Sequence, residues 1–475
     1  MLFNSIIFLI LFSIVVPTYY YLSIKKRKIF LLVVSYFFYG YWDYRFCSLL
    51  LLSTVIDYFT GKYIYLSDDN NLRKRFLYIS LLTNLGLLGF FKYFNFFITS
   101  FNSTIGVFGY QLDFLHINII LPVGISFYTF QTLTYTIDIY RKELNPTKSF
   151  VDFALYVSFF PQLVAGPIER AKALLPQIER MPSPTKKQFK EGIALITVGM
   201  FKKVMVGDTT GRIVDQIFAQ PEYYSSAQVL MGLILFSIQI YADFSGYSSI
   251  ARGTAKMLGI ELMENFNQPY LSANITEFWR RWHISLSTWL KDYLYITLGG
   301  NRKGNIRTYV NLMLTMLLGG LWHGANWTFV VWGGLHGVYL SIHKMFLGDK
   351  KIKDSYTYSG LNSFIVYCVK IIFTHFLVLF TWLFFRAKTF SEAWYILTRL
   401  FNWKSDIYDS RVFGIIATFS IVIVLIDILE YYFKRHDFLL LLKEQYRYGI
   451  VFTTWLIIFL YLLQAKPMPF IYFQF

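Results

Sequence analysis

Cysteine is nearly absent. Cys47 and Cys368 are the two in 475 residues, they lie in or beside apolar runs, and they have no paired spacing. A disulfide framework and a thiolate zinc site are therefore excluded, and redox chemistry is not indicated. Charge is scarce too: 15% of residues are Asp, Glu, Lys or Arg, against 55% hydrophobic and 20% aromatic. Acidic side chains are the scarcer kind, 28 against 45 basic, which leaves a net charge of +17. In a soluble chain that excess would point to nucleic acid. Here the basic residues gather in the connections between apolar runs, where positive-inside topology and anionic headgroups account for them, so nucleic acid is not an expected partner. The chain has no Walker A loop, no G-x-G-x-x-G and no G-x-S-x-G elbow. Low-complexity tracts, long linkers and internal repeats are missing as well, and without paired interrupted halves the inverted-repeat signature of a secondary transporter is unsupported.

What remains is apolar length. Mean hydropathy is +0.44, and the apolar runs are apolar all round, without the polar stripe of a soluble helix. A hydrocarbon core of about 30 Å needs about 20 such residues in helical form, and helices satisfy their own backbone in lipid. Candidate spans are residues 2–22, 29–42, 49–65, 76–97, 117–139, 193–206, 227–244, 309–321, 327–345, 361–385, 413–433 and 448–463. The expected fold is an all-α polytopic membrane protein of about eleven or twelve transmembrane helices, forming one integral domain over residues 1–475. The run 193–206 contains Lys202 and Lys203, which must sit at an interface or in a cavity. The stretch 151–164 is too brief for an easy crossing and runs into Ala165-Gly166-Pro167, so it is expected to be re-entrant or interfacial.

Basic residues set the orientation. Lys25-Lys26-Arg27-Lys28 follows the first span, placing the N-terminus outside the cytoplasmic membrane, and Arg73-Lys74-Arg75, the segments 170–190 and 280–307, Lys350-Lys351 and Lys434-Arg435 fall inside by the same rule. The first run lacks a small-residue cleavage site and reads as a retained span.

Chemistry concentrates in three places. Gly319-Gly320-Leu321-Trp322-His323-Gly324-Ala325-Asn326-Trp327 sets an imidazole between two apolar runs, near a kink, where a polar side chain is a functional-site hypothesis by default. Asn326 can orient or donate there, or cap the next helix. The second place runs from Asn265-Phe266-Asn267-Gln268-Pro269-Tyr270 through Arg280-Arg281-Trp282-His283 to Gly299-Gly300-Asn301-Arg302-Lys303. At helical spacing Phe278, Trp282, Ser285 and Trp289 share a face, which predicts an amphipathic interfacial helix. Arg280, Arg281, Arg302 and Lys303 offer cations to a phosphorylated donor, or else snorkel to headgroups. Of the seven histidines, His116, His336, His343, His375 and His436 sit singly and are expected to be ordinary hydrogen-bonded side chains. His283 and His323 each follow a tryptophan beside small or polar residues, where a pocket can form. No carboxylate or cysteine beside them makes a metal-ligand spacing, so no metal is expected. The third place, Tyr241-Ala242-Asp243-Phe244-Ser245-Gly246-Tyr247, puts an acid and an expected kink at the end of a span, where Asp243 orients a histidine or hydroxyl, or caps the next turn.

Five segments together carry a resemblance: Leu121-Pro122-Val123-Gly124-Ile125-Ser126-Phe127-Tyr128-Thr129-Phe130-Gln131, Phe159-Phe160-Pro161-Gln162-Leu163-Val164-Ala165-Gly166-Pro167-Ile168, the 243–247 turn, Arg280-Arg281-Trp282-His283 and Trp322-His323-Gly324. With the closing residues 469–475, the chain resembles the membrane-bound O-acyltransferase family, nearest its bacterial alginate and peptidoglycan O-acetyltransferase membrane subunits. The resemblance implies tilted helices around a central funnel, a catalytic histidine at His323 and a second motif residue at His283. It also implies acetyl-CoA as a cytosolic donor, an extracytoplasmic polysaccharide hydroxyl as acceptor, and an exported SGNH-type acetyltransferase or esterase as partner. Beside Trp282, Asn326 and Asp243, the four cations named above then become candidates for donor or substrate binding. D-alanyl transfer to teichoic acid is the alternative enzyme, and a transporter the non-enzymatic one.

Overall fold

The computed structural model describes residues 1–109, 117–347, 360–403 and 410–473. His116, Lys350, Lys351, Gln474 and Phe475 lie outside the described residues. No strand occurs among the described residues. In chain order the helices are α1 Ile6–Tyr21, α2 Ile24–Gly40, α3 Cys47–Leu66, α4 Asn70–Leu88, α5 Phe94–Gly106, α6 Ile125–Tyr140, α7 Phe150–Ser158, α8 Phe160–Leu163, α9 Ala171–Arg180, α10 Lys186–Met200, α11 Thr209–Ala219, α12 Ser226–Met257, α13 Ile275–Arg281, α14 Ile284–Trp289, α15 Asn305–His323, α16 Trp327–Leu347, α17 Leu361–Arg386, α18 Phe390–Phe401, α19 Ser410–Phe433 and α20 Glu444–Gln464. Each of the twelve apolar runs meets a helix. Among the described residues, five helical stretches are long and apolar enough to cross a membrane by themselves: Asn70–Gly106, Ser226–Met257, Leu361–Arg386, Phe413–Phe433 and Glu444–Gln464. The run 117–139 is helical only from Ile125, because Pro122 and the left-handed Gly124 (φ +76°) block an earlier start.

The chain divides into two compact units, Met1–Ile196 with Ala251–Met263, and Thr197–Ile250 with Glu264–Phe475. In the first, the α1–α2 turn is closed by Arg27, which donates to the Tyr19 carbonyl at 3.0 Å and lies 4.7 Å over the Tyr19 ring. Residues 152–169 are buried throughout. The helix expected to re-enter there is interrupted at Phe159 (φ −52°, ψ 107°), and the next N–H, that of Phe160, donates to Ser35 Oγ at 3.1 Å. Protein therefore covers the backbone of the break, which is the condition a re-entrant segment would have to meet and one that an interfacial segment also satisfies. A Cβ on Gly124 would lie 2.8 Å from the Leu163 carbonyl oxygen, which accounts for the small residue in that motif. The α3, α4 and α6 helices bury Asp57, whose oxygens accept from Ser80 Oγ at 2.6 Å and from Asn84 Nδ2 at 2.8 and 3.1 Å.

The second unit begins at Thr197 within α10, which continues into a π segment, Phe201–Asp208. A π segment widens the helix by one residue and redirects its side chains. Lys202 and Lys203 are thereby buried to 2% and 1% exposure, neither at an interface. Lys202 meets Glu430 at 2.8 Å, while Lys203 meets Asp208 at 2.7 Å and Asp243 at 2.6 Å. The kink expected near Ser245-Gly246 is absent, and α12 runs unbroken through it. Gly246 instead permits close approach, since a Cβ there would lie 2.7 Å from the Gly199 carbonyl oxygen.

Candidate active site

His323 is the last residue of α15, and its position follows from how tightly α15 and α16 pack. A Cβ on Gly320 would run into the carbonyl oxygen of Phe329, and one on Gly333 into that of Met316. Only glycine lets the two backbones approach this closely. Gly324, extended at φ −158°, ends α15, and Asn326 starts α16: its Oδ1 accepts the Thr328 N–H at 3.1 Å while Nδ2 donates to the Lys388 carbonyl at 2.7 Å. Asn326 is therefore engaged as a helix-start cap. His323 is buried among aromatic rings, with centroids at 5.0 Å for Trp332, 5.1 Å for Trp322, 5.3 Å for Tyr472 and 5.4 Å for Phe385.

His283 arrives by a different route. The amphipathic helix expected across 278–289 breaks after Arg281, and His283 takes the left-handed conformation, φ +42° and ψ 55°. Asn265 stabilises the break in place of helical bonding. Its carbonyl accepts the Ile284 N–H at 2.9 Å, its Oδ1 accepts the Ser285 N–H at 3.2 Å and the Ser285 hydroxyl at 2.8 Å, and Arg281 O accepts the Asn267 N–H at 3.0 Å. Upstream, Asn274 Oδ1 accepts the Glu277 N–H and Glu277 reaches back to the Ala273 N–H, both at 2.9 Å, a reciprocal start for α13. His283 is fully buried, with Phe244 edge-on at 4.6 Å, Trp322 at 6.0 Å, Tyr472 at 6.4 Å and His323 at 6.4 Å between ring centroids. Burial pushes its imidazole down to about 3, so it is neutral at physiological pH.

The other candidates distribute differently. Trp282 is fully buried in an aromatic stack with Phe266, Phe278 and Trp382. Arg281 is buried, pairs with Glu277 at 2.7 Å and lies 5.6 Å over Tyr431. Arg280, Arg302 and Lys303 are exposed. The last two lie in a turn with left-handed Gly299, Gly300 and Gly304, pinned by Asn311 Nδ2 donating to Gly300 O at 2.8 Å. Both carboxylate oxygens of Asp243 are occupied, Oδ1 by Lys203 and Oδ2 by the Ile471 backbone N–H at 2.8 Å.

The structure thus brings His283 and His323 together, from positions 40 residues apart in the chain, and adds Tyr472, Trp332, Phe385 and Phe244, which sequence reasoning did not select. The signal for Tyr472 was present in the closing 469–475 segment. Phe244 lies in the 243–247 turn, whereas Trp332 and Phe385 are indistinguishable in sequence from ordinary apolar filling. Trp332 Nε1 and the Tyr472 hydroxyl are buried polar atoms with no hydrogen-bond partner among the described residues.

Residues 36–349 match the model of the membrane-bound O-acyltransferase family. The chain is 41% identical over 435 residues to a probable alginate O-acetylase of Azotobacter vinelandii, covering 90% of this chain and 84% of the relative. It is 37% identical over 396 residues to a peptidoglycan O-acetyltransferase of Helicobacter pylori, covering 78% and 73%. A teichoic acid D-alanyltransferase of Bacillus subtilis is 28% identical over 287 residues, covering 58% and 70%. A largely helical chain with five stretches among the described residues able to cross a bilayer, and with about two thirds of its length matched by one family, belongs to the membrane-bound O-acyltransferases and is a multi-pass acyltransferase.

Proposed function

We propose that the protein transfers an acetyl group from cytosolic acetyl-CoA toward hydroxyls of an extracytoplasmic polysaccharide, alginate-like or peptidoglycan, with His323 at the centre of the chemistry. The observation that carries this is the meeting of His323 and His283, 6.4 Å apart, in a buried aromatic site. Acetyl rather than D-alanyl transfer is favoured by the higher identity and wider coverage of the acetyltransferase relatives.

A thioester is already activated, so transfer needs a group to take the hydroxyl proton or to carry the acyl group, plus donors for the oxyanion. His323 supplies the first need. As a base it removes the proton while the hydroxyl oxygen bonds to the acetyl carbonyl carbon and the CoA thiolate leaves. As a carrier its nitrogen forms that bond first and passes the acetyl on. The Trp332 indole N–H and the Tyr472 phenol, at the edge of the His323 ring, are the oxyanion donors. The neutral His283 positions the donor by hydrogen bonding. Arg280, with Arg302 and Lys303, meets the donor's phosphates from the cytoplasmic side, leaving the N-terminus outside the cytoplasmic membrane. An exported SGNH-type transferase or esterase completes delivery to the glycan.

The test is acetyl-CoA consumption by the purified protein. His323→Ala should lose turnover by at least about a hundredfold, the low end of what a general base contributes, while remaining folded. Wild-type turnover in that variant would overturn the assignment. Consumption of a D-alanyl carrier in preference to acetyl-CoA would overturn the donor.

A further inference from the structure

Asp243 has two partners that belong to different parts of the second unit. Oδ1 faces Lys203 Nζ at 2.6 Å, and Oδ2 accepts the backbone N–H of Ile471 at 2.8 Å. Lys203 is held from behind by Asp208 at 2.7 Å, and all three side chains are 3% exposed or less. Three charges buried together are costly to assemble, and apolar contact alone would cover residues 470 and 471, since Phe470 and Ile471 are 0% and 1% exposed. What the carboxylate adds is position. It fixes one backbone nitrogen to hydrogen-bond length, and the backbone around Asp243 is itself constrained, because a Cβ on Gly207 would lie 3.1 Å from the Asp243 nitrogen. The next residue after that nitrogen is Tyr472, whose ring lies 4.8 Å from Phe244 and 5.3 Å from His323.

We propose that Lys203 and Asp243 are positioning residues of the acyl-transfer site: they latch the turn that begins at Ile471, and the latch holds Tyr472 as one wall of the pocket around His323. Lys203 fixes the carboxylate, the carboxylate fixes the turn, and the turn fixes the ring. This inference rests on His323 marking the site. Neither latch residue touches the reacting atoms, so its loss changes turnover more than affinity for the donor.

Ile471→Pro tests the latch without touching the buried charges. It deletes the N–H, and Ile471 opens a 3-10 turn, Ile471–Phe473, where the fixed φ of proline is tolerated. Ile471→Val keeps the N–H and is the control. The expected result is a fall of at least tenfold in kcat for acetyl-CoA turnover in Ile471→Pro, with KM for acetyl-CoA within twofold and Ile471→Val within twofold throughout. Asp243→Ala should match the proline variant, and Asp243→Asn, whose single amide oxygen can meet Lys203 or the Ile471 N–H while its NH2 faces the other, should recover only part of the loss. The independent readout is Phe473→Cys in a protein carrying Cys47→Ser and Cys368→Ser. Its reaction with a thiol reagent should be at least tenfold faster when Asp243→Ala is added. If Asp243→Ala does not fold, Ile471→Pro in the same cysteine background decides. Unchanged turnover and thiol rate in Ile471→Pro, with His323→Ala inactive, overturns the latch and leaves the site standing. Full activity in His323→Ala overturns the site, and the latch with it.

Discussion

His323 and His283 share Trp322 and Tyr472 as neighbours but are placed by opposite means. His323 ends a nineteen-residue helix whose register is set by glycine contacts with the next helix, so its position is a property of long-range packing. His283 sits at a left-handed break between two short helices and depends on the bonds that Asn265 makes to the residues just after it. One histidine is therefore robust to local change and sensitive to global packing, and the other is the reverse. The difference predicts which substitutions uncouple stability from activity.

The largest effect should come from the packing side. Gly320→Ala forces a Cβ into the Phe329 carbonyl, which cannot retreat without separating α15 from α16. Overpacking of this kind costs about 1–3 kcal/mol or more, so the variant should show a clear drop in melting temperature in detergent together with loss of turnover. Gly334→Ala, whose Cβ would meet only the Leu317 side chain at 3.4 Å, should melt close to wild type. Equal melting of the two would remove the packing half of the comparison.

Next is the local side. Asn265→Ala deletes an acceptor worth about 1 kcal/mol at a helix start, so the melting temperature should move little while turnover falls by an order of magnitude or more as His283 shifts. A large loss of stability without a selective loss of turnover would show that the break does not serve His283. Substitutions of His283 itself should separate ring from backbone. The left-handed conformation costs about 1–2 kcal/mol in a residue with a Cβ, a cost that Ala keeps and that Asn reduces by local hydrogen bonding. His283→Asn should therefore melt near wild type and keep more turnover than His283→Ala. If the alanine variant melted as high as the asparagine one, the left-handed geometry would carry no cost.

The smallest effect lies outside both placements and calibrates them. Glu169 is buried, and its Oε1 accepts the Met263 N–H at 2.6 Å. Burial raises its carboxyl from an ordinary 4.5 to about 7, against the pull of that N–H and of Arg252 and Arg170. The folded form thus holds the proton more tightly than the unfolded one. Stabilisation from that proton is complete below about pH 4.5 and is lost as pH rises through about 7. Glu169→Gln should raise the melting temperature by a few degrees at pH 8 and leave it unchanged at pH 5, without altering turnover. An equal shift at both pH values would mean that charge on this carboxylate is not what destabilises the protein.

Helical class and multi-span character were legible because apolar run length is a one-dimensional property, and all twelve runs meet helices. Where elements end was less so. Gly246 looked like a kink and is a contact surface, because a glycine that breaks a helix and one that admits a neighbour are alike until the neighbour is known. Lys202 and Lys203 stand out within an apolar run, yet their partners, Glu430 and Asp243, lie 228 and 40 residues away in the chain, and no local pattern encodes that pairing. The two histidines could be picked out since each pairs with a tryptophan beside small or polar residues. Their meeting depends on a left-handed residue at a position that reads as mid-helix.

Lys202 and Lys203 are joined by one peptide bond but grip different carboxylates, the first on α19 and the second on α12. The π segment makes them a yoke. An ångström-scale slide of α19 would pull on Glu430 and, through the Lys202–Lys203 dipeptide, on the carboxylate that accepts the Ile471 N–H. A strain applied at α19 would thereby be geared onto the turn that carries Tyr472, which puts that helix mechanically in series with the two histidines.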